Sequence, residues 1–265
     1  MVETDLSPTS HERSRWRRQN LLIWLCALFV GFFVTAELLG AKLWHFKLFG
    51  LTPRDLGLDG AEFVATAGIL AFPLTFILTD IINEYFGVRV VRLFTFCAIG
   101  VNLLLQTVVQ AAIRVPTISF TEGIETERLH QAYQLALGQS WAIVAASLIA
   151  FLIGQYLDVR VFGLLRRVSD GKLLWLRAQG STVVSQLVDT FVVIFLAFLI
   201  IPSLVRTGQG VMRPGQALEV SLTNYVYKFA IAVGITPLLY LVHWLVDLYL
   251  GEELSEELVR EAHPA

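Results

Sequence analysis

Residues 93–113 read LFTFCAIGVNLLLQTVVQAAI, a run with no Asp, Glu, Lys or Arg, closed at its ends by Arg92 and Arg114. As a helix rising about 1.5 Å per residue, it reaches across the roughly 30 Å hydrocarbon core of a bilayer. No water there satisfies backbone N–H and C=O groups, so the helix is the form such a run takes. Working outward, further charge-free runs occupy residues 19–36, 63–79, 129–157, 190–205 and 229–246. Extended to their flanking turn and aromatic signals, the runs predict helices near 20–41, 62–86, 93–113, 138–158, 181–203 and 220–246. The expected fold is an all-α integral membrane bundle of six transmembrane helices.

Composition agrees. Hydrophobic residues make up 55% of the 265 and charged ones only 16%, against about 25% charged in ordinary soluble domains. Mean hydropathy is +0.65. A net charge of −2 lacks the positive field of a nucleic-acid binder, so no direct nucleic-acid partner is expected. Cys26 and Cys97 both sit in apolar runs, which argues against a disulfide framework. No H-E-x-x-H, G-x-S-x-G or phosphate-loop pattern occurs, and the five histidines are scattered. The chain therefore reads as a non-enzyme needing neither metal nor cofactor.

Six spans place both termini on one side. Twelve basic residues, Arg13 to Arg18 and Arg160 to Arg177 chief among them, fall on that side and seven on the other, which makes the termini cytoplasmic. Residues 1–19 read as a polar, disordered head, 20–249 as the transmembrane domain and 250–265 as a short acidic tail. Arg17-Arg18 has the look of a twin-arginine export signal, but the apolar run behind it is too long for a cleaved one and is taken as a retained helix.

Charge at mid-membrane is costly, and ionisable groups there usually face the bundle interior. Asp80 and Glu84 lie one turn apart, beside a stripe of Thr75, Thr79 and Asn83. Asn102, Gln106 and Gln110 step by four, as do Ser181, Ser185 and Asp189, with Gln186 adjacent. Asp189 and Lys228 each lie eight residues into their predicted helices, roughly 12 Å deep from opposite ends. An acid and a base at that depth are far less costly as a pair, so an Asp189–Lys228 contact is expected. Glu37, Glu84 and Asp158 fall near predicted span ends, where solvation is the simpler reading. Pro73 and Pro237 fall inside predicted helices and imply kinks.

The run FPLTFILTDIINEYFG, residues 72–87, resembles the signature of the queuosine precursor transporter family, formerly grouped as vitamin uptake transporters. GQYLDVRVFGLLRR (154–167), STVVSQLVDTFVVIFLAF (181–198) and YVYKF (225–229) continue the likeness in order. The first helix departs from it, with Glu37 and Lys42 where the family pattern has Asn followed by Lys. The resemblance implies a multi-pass protein of the inner (plasma) membrane that imports a 7-deazaguanine base, a small-molecule purine analogue. A guanine-like edge suits a carboxylate, Asp80 or Asp189, with Lys228 holding the latter; an amide from Asn83, Gln106, Gln155 or Gln186 serves the carbonyl. Phe72, Phe76, Tyr225 and Tyr227 offer stacking faces. Two other classes stay open: a vitamin-type binding subunit of an energy-coupling factor transporter, and an intramembrane hydrolase using Asp80 and Asp189, which a nearby lysine fits poorly. A homodimer suits so small a carrier.

Overall fold

A computed structural model describes residues 10–40, 42–46, 50, 52–56, 62–118, 125–138, 141–169, 174–204 and 212–263. Helix α1 (Ser10–Leu39) leads into a two-stranded antiparallel hairpin, β1 (Leu43–Phe46) and β2 (Phe63–Thr66), with Leu43 opposite Thr66 and Phe46 opposite Phe63. After a 3₁₀ turn come α2 (Phe72–Arg114), the short α3 (Thr126–Leu137), α4 (Trp141–Val168) and α5 (Leu174–Phe195). A π turn, Leu196–Ile200, joins α5 to α6 (Ile201–Leu204), and α7 (Pro214–Gly234), α8 (Thr236–Leu250) and α9 (Glu252–Ala262) complete the chain.

Among the described residues, four helical stretches are long and apolar enough to cross a bilayer, within α1, α2, α4 and the α5–α6 run. The α7–α8 pair, bent by 45°, makes a fifth if it is one span. Helix α2 has 43 residues, about 65 Å at the helical rise, roughly twice the hydrocarbon thickness. Its backbone leaves the helical region at Gly87 (φ 77°, ψ 174°), between the two helices predicted here. Only glycine adopts that conformation without strain, and a Cβ at Gly87 would sit 3.1 Å from the Ala262 carbonyl oxygen of α9.

The predicted helix from residue 62 begins ten residues late, because 63–66 pair with β1 as a strand and 67–70 form the 3₁₀ turn. Pro73 is then not a mid-helix kink: it is the second residue of α2, where no amide hydrogen is needed. Pro237 holds the same position in α8, immediately after the break at Ile235. The expectation of a bend there is met.

The head and tail also differ from expectation. Residues 10–19 are helical, as the first turns of α1; residues 1–9, like Lys47, Lys172 and Arg206 of the charge count, lie outside the described residues. Arg17 donates to the Leu250 carbonyl at 3.2 Å, and Arg18 pairs with Glu261 at 3.0 Å. The acidic tail is α9, with Ser255 and Leu258 buried against the bundle. Asp247 of α8 ties this end together, accepting from Tyr85 at 2.6 Å and from Ser255, with His243 Nδ1 3.1 Å away.

Aromatic rings from α1, α2 and α4 form the centre, with Phe33 and Phe151 4.2 Å apart and Phe72 edge-on to Phe151. Helices α4 and α5 make the most extensive pair. Small residues sit in their contact: Gly154 of α4 lies against Ser185 and Asp189 of α5, and Gly180 of α5 against Leu165 of α4, with Ala146, Ala150, Ala178 and Ser181 also buried on these helices. Such residues let helix backbones approach closely where no hydrophobic force drives association. Outward, Trp24, Phe96, Leu104, Leu164 and Trp244 are more than half exposed, as a lipid-facing surface requires.

Candidate transport site

Asp189 and Lys228 meet as expected, with Nζ 2.9 Å from Oδ2. The acid side chain is 6% exposed and the lysine 17%. Lys228 also lies over the Phe72 ring, 5.3 Å from its centroid, a cation–π contact. Glu37 of α1, accepting a 2.6 Å hydrogen bond from Ser147 of α4, lies close enough to feel both Asp189 and Lys228. Two acids and one base thus share one buried neighbourhood.

Lys228 borders a cavity between α2, α5, α7 and the start of α8. Phe72, Pro73, Phe76 and Asp80 line it from α2; Gln179, Thr182 and Gln186 from α5; Ile235 and Leu239 from the broken helix. Its volume is about 30 Å³, room for about two waters, so the site is contracted in this conformation. The Gln186 Nε2 donor and the Gln179 Oε1 acceptor are buried with no hydrogen-bond partner among the described residues. An unmet donor and an unmet acceptor beside a carboxylate and an ammonium leave polar capacity that an incoming ligand can satisfy.

Of the residues singled out from the sequence, Asp80, Gln186, Lys228, Phe72 and Phe76 line the cavity, and Asp189 stands behind Lys228. The structure does not bring Asn83, Gln106, Gln155 or Tyr225 to that lining. Gln155 donates to Thr79 at 2.8 Å and fastens α4 to α2. The Asn83 carbonyl meets the His263 ring at 3.0 Å. Gln106 and Asn102 are buried on the second half of α2, their amide atoms without partners among the described residues. Tyr225 is half-buried, and Tyr227 packs edge-on to Trp44.

Sequence reasoning missed Gln179 and Thr182. The stripe it followed on α5, Ser181–Ser185–Asp189, faces α4, whereas the neighbouring stripe 179–182–186 faces the cavity; the steps of three and four were the available signal. The reading of Glu84, Glu37 and Asp158 as solvated is corrected. All three are buried, and Glu84 is ion-paired with Arg166 of α4. The hydrolase reading needs two carboxylates to share a proton, but the partner of Asp189 is an ammonium.

A helical membrane bundle with a polar cavity beside a broken helix has the make-up of a membrane transporter. Residues 66–242 match the family described as "Putative vitamin uptake transporter". A protein from Bacillus subtilis (strain 168) named "Probable queuosine precursor transporter" is 30% identical over 195 residues, 73% of each chain. The "Queuosine precursor transporter" of Escherichia coli (strain K12) is 27% identical over 171 residues, 64% of this chain and 69% of that one. A "Probable queuosine precursor transporter" from Haemophilus influenzae is 27% identical over 186 residues, 69% of this chain and 72% of the other. No solved structure matches. The chain belongs to the queuosine precursor transporter family.

Proposed function

We propose that this protein is an inner-membrane carrier that imports 7-deazaguanine bases, such as 7-cyano- or 7-aminomethyl-7-deazaguanine, for salvage into queuosine of transfer RNA. The observation that carries the reading is the grouping of Asp80, Gln179, Gln186 and Lys228 with the rings of Phe72 and Phe76 around one cavity. A guanine edge presents two parallel N–H donors, which the Asp80 carboxylate accepts in bidentate fashion. The Gln186 N–H serves the ring carbonyl, and the phenyl faces take the flat base. Asp189 fixes the Lys228 ammonium at the rim.

Dividing α2 at Gly87 and counting α7–α8 as one span gives six crossings. The basic excess on the side of the termini then makes them cytoplasmic. The cavity is too small for a base as it stands, so binding requires α2 to part from α7 and α8. The break at Ile235 is where that motion is absorbed. A bacterium unable to synthesise deazaguanines tests the proposal: given this chain and external 7-cyano-7-deazaguanine, its transfer RNA gains queuosine. If it gains none while the protein is present in the membrane, the reading is wrong.

A further inference from the structure

The α4–α5 contact holds a second buried acid that the cavity does not use. Asp158 is 0% exposed. Its partners are hydroxyls of α5: Ser185 Oγ is 3.1 Å from Oδ1, and Ser181 also contacts the carboxyl group. Its other oxygen, Oδ2, is buried with no hydrogen-bond partner among the described residues. No Lys, Arg or His among those residues pairs with it. The titratable groups on the helices around it are engaged elsewhere: Asp189 of α5 with Lys228, Glu84 of α2 with Arg166, and Glu37 of α1 with Ser147. Asp80 of α2 lines the cavity, and Arg160, half a turn on along α4, stacks on the Tyr156 ring.

The serine geometry accommodates both protonation states of this acid without moving a heavy atom. Ser185 Oγ is 3.1 Å from Asp158 Oδ1 and 3.2 Å from the Thr182 carbonyl oxygen. A hydroxyl has one proton to give, and a carbonyl only accepts. With Asp158 ionised, the hydroxyl turns to the carboxylate. With Asp158 protonated, it turns back to donate to the Thr182 carbonyl and accepts a hydrogen bond from the acid's O–H. Ser181, 3.1 Å from the Ala178 carbonyl oxygen, has the same alternative. An ionised carboxyl group held only by hydroxyls inside a membrane is costly.

We propose that Asp158 is the proton-binding site of an ion-coupled carrier, taking up a proton on the side from which the base enters and releasing it on the other. The carboxylate gains the proton to become the acid and later returns it, with no other bond changed. The link to the transport site runs along two helices. Ser185 lies one turn from Asp189 on α5; Gly154 lies one turn from Asp158 on α4, and a Cβ there would be 3.2 Å from the Asp189 Cβ. The α4–α5 spacing at Asp158 therefore bears on Asp189, and through it on Lys228. Coupling rests on the reading of this protein as a base importer; proton binding does not.

Two readouts keep those apart. Infrared spectroscopy of the full chain in lipid nanodiscs at neutral pH is expected to show the carbonyl stretch of a buried carboxylic acid, lost in Asp158→Asn. In vesicles, a protonophore is expected to abolish accumulation of labelled 7-cyano-7-deazaguanine by wild type, while Asp158→Asn exchanges the base but never concentrates it. If Asp158→Asn fails to fold, Ser185→Ala is expected to keep the band and shift its frequency. An unchanged spectrum in Asp158→Asn, or accumulation by that variant equal to wild type, would overturn the proposal. If wild-type vesicles move no base, the importer reading falls and the infrared band alone decides whether Asp158 holds a proton.

Discussion

Lys228→Met keeps most of the side-chain volume and removes the ammonium, leaving Asp189 buried without its cation. Removing one partner of a buried pair costs about 3–5 kcal/mol in soluble proteins. Two features of the structure set the expectation near the lower figure: Lys228 retains 17% exposure, and polar contacts in membrane helices measure weaker than in water-soluble cores. Glu37 works the other way, since it adds a second acid to the site once the lysine is gone. A cost of about 3 kcal/mol lowers the thermal midpoint by about 6–12 °C for a domain of this size. Asp189→Asn alone strands the ammonium and is expected to cost about 2 kcal/mol, less because Lys228 keeps the Phe72 ring as a partner. The double variant has no stranded charge and should fall within about 1.5 kcal/mol of wild type. The assay is thermal unfolding of the four proteins in one detergent at one scan rate. Single variants each within about 0.5 kcal/mol of wild type and additive in the double would refute the claim that the pair is buried and mutually dependent.

Three further perturbations follow from the geometry. Gly87→Ala places a Cβ at φ 77° and against the Ala262 carbonyl; destabilisation of about 1–3 kcal/mol should appear as a lower thermal midpoint with secondary structure unchanged by circular dichroism. Gly154→Val drives a branched side chain into Asp189, where even a Cβ would come within 3.2 Å. Base binding measured by calorimetry should weaken more in Gly154→Val than in a control at Gly163, whose added Cβ would meet nothing within 4 Å. Leu258→Ala in α9 removes a side chain that is 1% exposed and should cost about 2 kcal/mol, with earlier proteolysis of the C-terminal segment; equal proteolysis would mean that α9 is not held to the bundle.

The apolar runs were legible because a bilayer enforces them: the predicted helices at 93–113 and 181–203 lie wholly within helical segments of the structure, and those at 20–41, 138–158 and 220–246 over most of their length. The limits of those helices were less legible for a physical reason. A charge-free run ends at the first charge, yet Glu37, Asp158 and Arg166 are inside helices that continue past them, because each has a buried partner that the run cannot reveal. That placed the end of the predicted 138–158 helix ten residues before the end of α4, and nearness to predicted span ends made the buried acids Glu37, Glu84 and Asp158 look solvated. The Asp189–Lys228 pair was legible from depth alone. The cavity lining was legible only in part, since α5 carries two polar stripes side by side, and the one of serines and Asp189 closes a helix contact while Gln179, Thr182 and Gln186 face the space. Helix α9 was missed because its apolar face is only a few residues wide, too little to register in a composition dominated by acidic side chains.

Uptake of labelled 7-cyano-7-deazaguanine into vesicles containing only this protein, compared with the same vesicles carrying Asp80→Asn, bears most directly on the carrier reading. Wild type is expected to give saturable uptake, and the variant to lose about tenfold or more, because a hydrogen bond to a charged group is worth about 1.5–3 kcal/mol. Binding by wild type without net transport, or uptake by Asp80→Asn equal to wild type, would contradict the carrier reading and the place of Asp80 within it.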